Sequence, residues 1–179
     1  MAIVLVIVIA ALLAAVFFIR VSRGHAEAIS NLDDLSGRTQ PIDLAAFRNL
    51  IDPAETAFLR SHLRSQDFRE IHRERTQAAV EYVQRIALNA ALLLRLGQAA
   101  RTNPDPEIAK AAQSMIERAL VVRMIAMQAL VKLKLQALFP GIDFSNVDVF
   151  ERYGRLTESA ALFTRLQRPA YSAHVLAML

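Results

Sequence analysis

Hydrophobic positions divide the chain into one uninterrupted apolar run at its start and helix-periodic segments after it. Residues 2–19 are eighteen consecutive apolar positions without a charge, a glycine or a proline. A helix of that length rises about 27 Å, which approaches the ~30 Å hydrocarbon core of a bilayer. Because it is apolar on every side, it has no polar face to present to water. The run therefore predicts a transmembrane anchor over residues 1–20.

The residues that flank this run favour a retained signal-anchor over a cleaved signal peptide. Only the α-amino group of Met1 is charged before the run, and no A-x-A site with a polar flank follows it. The run is also longer than the ~7–15-residue apolar core of a signal peptide. Arg20 and Arg23 follow at once, so the positive-inside rule predicts that the remaining chain lies on the cytoplasmic side. The expected location is the inner (plasma) membrane of a bacterium.

Beyond the anchor, apolar residues recur at helical spacing and show no sustained alternation, which predicts an all-α fold. Residues 21–42 contain two glycines and predict a juxtamembrane linker. Residues 43–168 predict a helical bundle domain, and residues 169–179 an apolar C-terminal tail.

Aspartate residues mark the predicted helix starts within this bundle. Asp43 begins a short helix to Asn49, and Asp52, followed by Pro53, begins a second helix to about Leu63. In that second helix we expect Glu55 to complete a capping box, with Phe58 and Leu59 buried. Three further helices are predicted over 67–100 (opened by Ser65 or Asp67), over 105–139 (by Asp105 and Pro106) and from 145–148 to Gln167.

The two long helices carry matching seams of small and apolar residues. The seam residues are His72, Thr76, Ala79, Val83, Ile86, Ala90, Leu93, Gly97 and Ala100 on the first helix, and Ile108, Ala112, Met115, Ala119, Val122, Ala126, Ala129 and Leu133 on the second. A short connection makes the helices antiparallel neighbours. We therefore expect these facing pairs: Leu93 with Met115, Ala90 with Ala119, Ile86 with Val122, Val83 with Ala126, and Ala79 with Ala129. So many alanines predict an interaxial distance near ~8 Å.

A hairpin alone leaves apolar surface that other helices must cover. The last helix supplies Val149, Tyr153, Leu156, Ala160 and Phe163 at helical spacing, and the helices of 43–64 can cover the other side. A second stripe on the 105–139 helix consists of Leu120, Met127, Val131 and Leu138. The predicted architecture is an antiparallel bundle of three or four helices.

Charges within the bundle argue against two further interpretations. Residues 119–139 are apolar enough to suggest a second membrane span, but they contain Arg123, Lys132 and Lys134. Each central charge costs about 2.5–3.5 kcal/mol on insertion scales, so a bundle helix is favoured. The net charge of the chain is +4, and its basic residues are interleaved with acidic ones. No nucleic-acid partner is predicted, since such a site requires a basic patch on one face.

No catalytic, cofactor-binding or metal-binding constellation is recognisable in the sequence. The chain has no cysteine, no phosphate-binding glycine-rich loop, no nucleophile elbow and no Glu-x-x-His pair. His72 lies on the predicted seam, where a partly buried histidine bonded to a carboxylate or carbonyl is expected more often than a ligand. The protein is therefore predicted not to be an enzyme, and no cofactor is expected.

Two functional interpretations remain. The first is a membrane-anchored scaffold or interaction protein, as a small subunit of a membrane complex, whose partners are the lipid bilayer and a membrane protein or a second copy. The alternative is a ligand-sensing or lipid-binding bundle tethered to the membrane. Candidate pocket or partner-surface residues are Tyr82, Met127, Tyr153, Phe163, Tyr171, Leu176 and Leu179. The apolar tail either packs back on the bundle or binds a partner.

This layout resembles that of the LemA family, which also joins an N-terminal membrane helix to a long antiparallel bundle. The Tyr-Asn motif that follows the membrane segment in that family has no counterpart in residues 20–40. The resemblance is therefore one of architecture, and no family is assigned from it.

Overall fold

The computed structural model describes residues 32–138, residues 149–168 and Leu179. Helices are the only regular secondary structure among these residues. A 3₁₀ turn, Leu32–Leu35, precedes five α-helices. They are α1 (Leu44–Leu50), α2 (Pro53–His62), α3 (Ser65–Ala100), α4 (Pro106–Leu138) and α5 (Val149–Gln167). The predicted all-α fold is confirmed for this part of the chain.

The predicted anchor over residues 1–20 lies outside the described residues, as do the 145–148 cap and residues 169–178 of the tail. Among the described helices, none combines the length and hydropathy that crossing a bilayer requires. The transmembrane anchor therefore stays a prediction.

Aspartate caps begin three of the helices, as the sequence predicts. Asp43 Oδ1 accepts a hydrogen bond from the Ala46 amide at 2.9 Å, and Asp52 Oδ1 accepts one from the Ala54 amide at 2.9 Å. At the start of α4, Asp105 Oδ1 accepts from the Glu107 amide at 2.9 Å. Each cap satisfies an amide that the helix leaves unpaired, and a cap of this kind stabilises a helix by about 1 kcal/mol.

Helix α3 begins differently from the expectation. The residue at its N-cap position is Arg64, which makes no side-chain capping bond. Ser65 is the first helical residue, and Asp67 receives the guanidinium of Arg64 at 3.0 Å instead of opening the helix.

Two expectations for α2 are wrong. Glu55 does not complete a capping box but accepts from Arg75 of α3, with an Arg75 Nη1 to Glu55 Oε1 distance of 3.0 Å. Phe58 is 58% exposed rather than buried, and its ring stacks on His62 one turn later in the same helix. The capping pattern predicts that this segment is helical, but it carries no information about which side of the helix meets a neighbour.

Helices α3 and α4 pack against each other along the predicted seams. All seam positions from Ala79 to Ala100 on α3 and from Ala112 to Ala129 on α4 are buried. The seams open only at their ends, where His72, Thr76, Ile108 and Leu133 are partly exposed. The burial of these two sets confirms which faces of the long helices meet.

The shorter elements cover the hairpin on two sides, as predicted. Helix α5 packs mainly on α4, and all five of its predicted apolar positions are buried. Helices α1 and α2 pack on α3, where the Phe47 ring stacks on Tyr82 with centroids 5.5 Å apart. Leu32 and Leu35, from the segment predicted as a linker, also lie in the core. The second α4 stripe is not covered, because Leu120 on it is 51% exposed.

Gly97 shows how closely the two long helices approach. A Cβ atom placed on this residue would lie 2.8 Å from Ile116 Cγ1 and 3.2 Å from the carbonyl oxygen of Ala112. Gly154, in the middle of α5, is the opposite case, since a Cβ there meets nothing within 4 Å. The two glycines therefore have different physical reasons for being tolerated in a helix.

We expect Gly97→Ala to destabilise the protein and Gly154→Ala to stabilise it. Alanine gains about 0.5–1 kcal/mol over glycine within a helix, and Gly154→Ala should show that gain. At Gly97 the contact with Ile116 and the Ala112 carbonyl should exceed the gain, for a net loss of roughly 1 kcal/mol or more. Urea unfolding of the full chain in mild detergent, followed by circular dichroism, measures both. Equal effects of the two substitutions would contradict the close packing at Gly97.

Candidate functional site

The centre of the described bundle contains a buried polar side chain, Asn89 of α3. Its relative exposure is 0% although its neighbours along the helix are aliphatic. A buried carboxamide must find partners for two donors and one acceptor, because leaving them unpaired costs about 1–3 kcal/mol per group. The partners of Asn89 therefore define the most specific arrangement in the bundle.

Asn89 forms hydrogen bonds with both main-chain groups of Gln40, the amide and the carbonyl oxygen. Its Oδ1 accepts from the Gln40 amide at 3.0 Å, and its Nδ2 donates to the Gln40 carbonyl oxygen at 2.8 Å. A side-chain amide thus pairs with a main-chain residue as a neighbouring peptide group would. Residues 40–43 lie between the 3₁₀ turn and α1 without regular secondary structure. Asn89 therefore fixes the point at which this segment crosses α3.

The same cluster binds Leu179. Asn89 Nδ2 donates to Tyr153 Oη at 2.9 Å, and Tyr153 Oη donates to the main-chain oxygen of Leu179 at 2.9 Å. A longer contact of 3.4 Å joins Asn89 Nδ2 to that same oxygen. Leu179 is itself buried. We call Asn89, Tyr153, Gln40 and Leu179 the Asn89 cluster; it joins α3, α5, the segment before α1 and the last residue of the chain.

Burial keeps the Tyr153 phenol of the Asn89 cluster in its neutral form. Burial raises the pKa of Tyr153 to about 12, and the hydrogen bond from Asn89 opposes this shift only in part. The phenol therefore stays protonated at neutral pH and acts as a donor to Leu179. No buried side-chain nitrogen or oxygen among the described residues lacks a hydrogen-bond partner. The cluster is thus suited to holding chain segments together and has no activated nucleophile.

Two arginine side chains hold the segments before α2 from outside. Arg168, just after α5, donates from Nη1 to both carboxylate oxygens of Asp33 in the 3₁₀ turn, each at 3.0 Å. Arg75 donates to the carbonyl oxygens of Asn49 and Leu50 at the end of α1. These contacts attach the 3₁₀ turn to the end of α5 and the end of α1 to α3.

The structure describes five of the seven candidate residues that the sequence suggests. Tyr153 and Leu179 meet in the Asn89 cluster, whereas Tyr82 stacks on Phe47. Phe163 is buried in the core and Met127 is half-buried on α4. The remaining two, Tyr171 and Leu176, lie outside the described residues. For Leu179, the structure favours packing back on the bundle.

Sequence reasoning did not identify Asn89, although a signal was present. Between Arg85 and Arg95 it is the only polar residue, in the run IALNAALLL. Asparagine is a weak helix former, and such a residue inside an aliphatic run indicates a specific hydrogen-bonding requirement. Its partners could not be found in the same way, because they are far away in the sequence.

His72, a polar residue on the α3 seam, lies in an environment that is typical of a structural role. Its ring stacks on Phe68 with centroids 5.4 Å apart. Burial lowers its pKa, and the nearby charges of Arg60 and Arg75 lower it further, so the ring is neutral at pH 7. Among the described residues, no three histidine, aspartate or glutamate side chains gather as metal ligands would.

The outer surface of the bundle has two rows of apolar side chains that are exposed or half-buried. On α4, Leu120, Met124, Met127 and Val131 follow one another at helical spacing, and we call them the α4 apolar face. Leu120 and Met124 are 51% and 52% exposed. On α5, Leu162 and Leu166 lie one turn apart and are 56% and 41% exposed.

Comparisons of the chain with protein-family models, with curated proteins and with solved structures find no match. The functional argument therefore rests on the residues described above.

We expect Asn89→Ala to release the segment at Gln40. The substitution removes both partners of the Gln40 main chain, which should destabilise the protein by about 2–3 kcal/mol. Hydrogen exchange measured by mass spectrometry should show faster exchange in a peptide that spans residues 36–43. The amide of Phe47, which donates to Asp43 within α1, serves as the internal control. Unchanged exchange at Gln40 would contradict the role assigned to Asn89.

Tyr153 should make stability fall at alkaline pH. Its pKa is about 12 in the folded chain and about 10 when unfolded, so folding is favoured while the phenol is protonated. That contribution is complete below pH 10 and is lost as the pH rises through 12. The free energy of unfolding, measured by urea titration across this range, should fall more steeply for the native chain than for Tyr153→Phe. Parallel curves would contradict the buried, hydrogen-bonded phenol.

Proposed function

We propose that the protein is a single-pass, membrane-anchored helical scaffold that binds other proteins beside the bilayer. Support for the anchor comes from the apolar run of residues 2–19, and support for binding comes from the exposed apolar row on α5. Contiguous apolar side chains on a protein surface are typical of interaction sites. The row on α5 is the observation that carries the protein-binding part of the proposal.

In this proposal the protein is a structural subunit and not an enzyme. The Asn89 cluster supports that role, because its donors and acceptors are engaged with main-chain groups of the protein itself. Because the Asn89 cluster holds both the segment at Gln40 and Leu179, the bundle presents the apolar rows of α4 and α5 in a constant geometry. The bundle is expected on the cytoplasmic side of the membrane, as a small subunit of a larger membrane assembly or as a homo-oligomer.

The outer surface of α5 is the proposed protein-binding surface. Leu162 and Leu166 lie on one face of the helix, opposite the buried residues Tyr153 and Thr164. Arg165 is exposed beside them, so an apolar centre lies next to a polar rim. A membrane-protein partner that covers this row would remove two leucine side chains from water.

The alternative, a ligand-sensing or lipid-binding bundle, stays a prediction without a contact that favours it. It requires Tyr82 and Tyr153 to line a common cavity. In the described structure Tyr82 is engaged with Phe47, and Tyr153 is engaged with Asn89 and Leu179.

The proposal predicts that the protein resists alkaline carbonate extraction from membranes and copurifies with a stoichiometric partner, or as an oligomer, in mild detergent. Leu162→Glu with Leu166→Glu should abolish that association, because two charges would be buried at the interface. Leu88→Glu on α3 is the matched control, since Leu88 is exposed by 41%, as is Leu166. A monomer without partners in both the native and the control samples counts against the scaffold. Release by carbonate counts against the anchor.

A further inference from the structure

The α4 apolar face points away from the other described helices. Arg118 Nη1 donates to the Arg155 carbonyl oxygen of α5 at 2.8 Å, which marks the side of α4 that meets α5. Leu120 lies two residues later, or about 200° around the helix axis. Ala119, Val122 and Ala126 are buried and mark the side that meets α3. The α4 apolar face thus lies on the remaining, outward side.

Most charges around this face are basic, and the one acidic residue on this side of α4 is Glu117, one turn before Leu120. From residue 118 to residue 142 the sequence contains no aspartate or glutamate. Arg123 and Lys134 lie along one edge of the α4 apolar face, and Lys132 lies beyond the other edge, as the helical period places them. The guanidinium of Arg123 is partly buried, and this burial, together with the neighbouring charge of Arg95, lowers its pKa.

We propose that the α4 apolar face docks on the surface of an anionic phospholipid bilayer. Leu120 and Met124 enter the boundary between headgroups and acyl chains, while Arg123, Lys132 and Lys134 reach the phosphates. A helix with an apolar strip and basic flanks is the ordinary design for lying in a membrane interface. Lysine and arginine suit this position because their aliphatic stems cover apolar surface while their charges stay near water.

Two observations favour a bilayer over a second copy of the chain. Packing two α4 apolar faces together would place Arg123, Lys132 and Lys134 of both copies around the contact. Glu117 is the only acidic residue on this side of α4, so the net positive charge of each face opposes association. The chain between residue 20 and Leu32 can also reach at most about 40 Å when fully extended. If the anchor is in the membrane, the bundle stays within that distance of the headgroups. The inference therefore rests on the proposed membrane attachment and extends it to the orientation of the bundle.

A single cysteine carrying an environment-sensitive fluorophore tests this orientation, and the absence of native cysteines makes the labelling specific. Met124→Cys reports on the α4 apolar face. Leu162→Cys on α5 is the matched control, because the two positions are 52% and 56% exposed. The labelled full chain is reconstituted into vesicles of phosphatidylcholine with phosphatidylglycerol, and separately into phosphatidylcholine alone. Quenching by lipids with nitroxide groups on their acyl chains is then measured, and circular dichroism confirms that each variant is folded.

We expect a blue shift and strong quenching at position 124 in the anionic vesicles, and neither at position 162. Lys132→Glu with Lys134→Glu should reduce quenching at position 124 to the level of the control. Equal quenching at the two positions overturns the docking proposal. So does a blue shift at position 124 without lipid quenching, because it indicates a protein interface.

Flotation separates the two proposals: chains that float with both vesicle types but fail the quenching test retain the anchor. Chains that float only with anionic vesicles, and are quenched at position 124 there, lack the anchor and retain docking. Chains that float with neither lose both.

Discussion

The close approach of α3 and α4 is the constraint on which the rest of the described structure depends. Alanine or glycine occupies the facing positions at Ala90, Gly97, Ala112 and Ala119, so the two backbones come nearer than leucine would allow. Small residues bury little apolar area, and the larger side chains of the same seams must therefore fill the layers between them. Spacing and register follow from one alternation of small and large residues, because neither helix can slide without placing large side chains against each other.

A seam of this kind is not sufficient to define where the remaining segments attach, since apolar contacts have little directionality. The hydrogen bonds of Asn89 supply the directional contacts that define where these segments attach. Its carboxamide pairs with both main-chain groups of Gln40 and with Tyr153, so a shift of α3 by one turn would leave buried polar groups without partners. The Arg168 to Asp33 ion pair lies at the surface and contributes less, as exposed pairs do. The polar contact in the core therefore determines the path of the chain, and the surface contact supports it.

Local patterns in the sequence were sufficient to predict the hairpin but not the Asn89 cluster. The seams repeat over short distances, and the aspartate caps act within three residues, so both can be read directly. The partners of Asn89 lie 49, 64 and 90 positions away, and no local pattern connects them. Glu55 and Phe58 show the same limit: the helix was predicted correctly, whereas the partner Arg75 and the exposed ring depend on how a short helix is placed against α3.

The outward side of α4 changes character along a single helix, and packing alone does not explain that change. Gln113 and Glu117 lie on this side near the start of α4 and hydrogen-bond to each other at 2.9 Å, as residues facing water commonly do. One turn later the same side carries Leu120 and then Met124, both about half exposed. Neither α3 nor α5 requires apolar residues there, because Ala119 and Val122 lie on the side that meets α3, and Arg118 marks a different side that meets α5. Solvent would favour a continuation of the polar pattern, and the switch from polar to apolar residues is the feature that the proposed membrane docking accounts for.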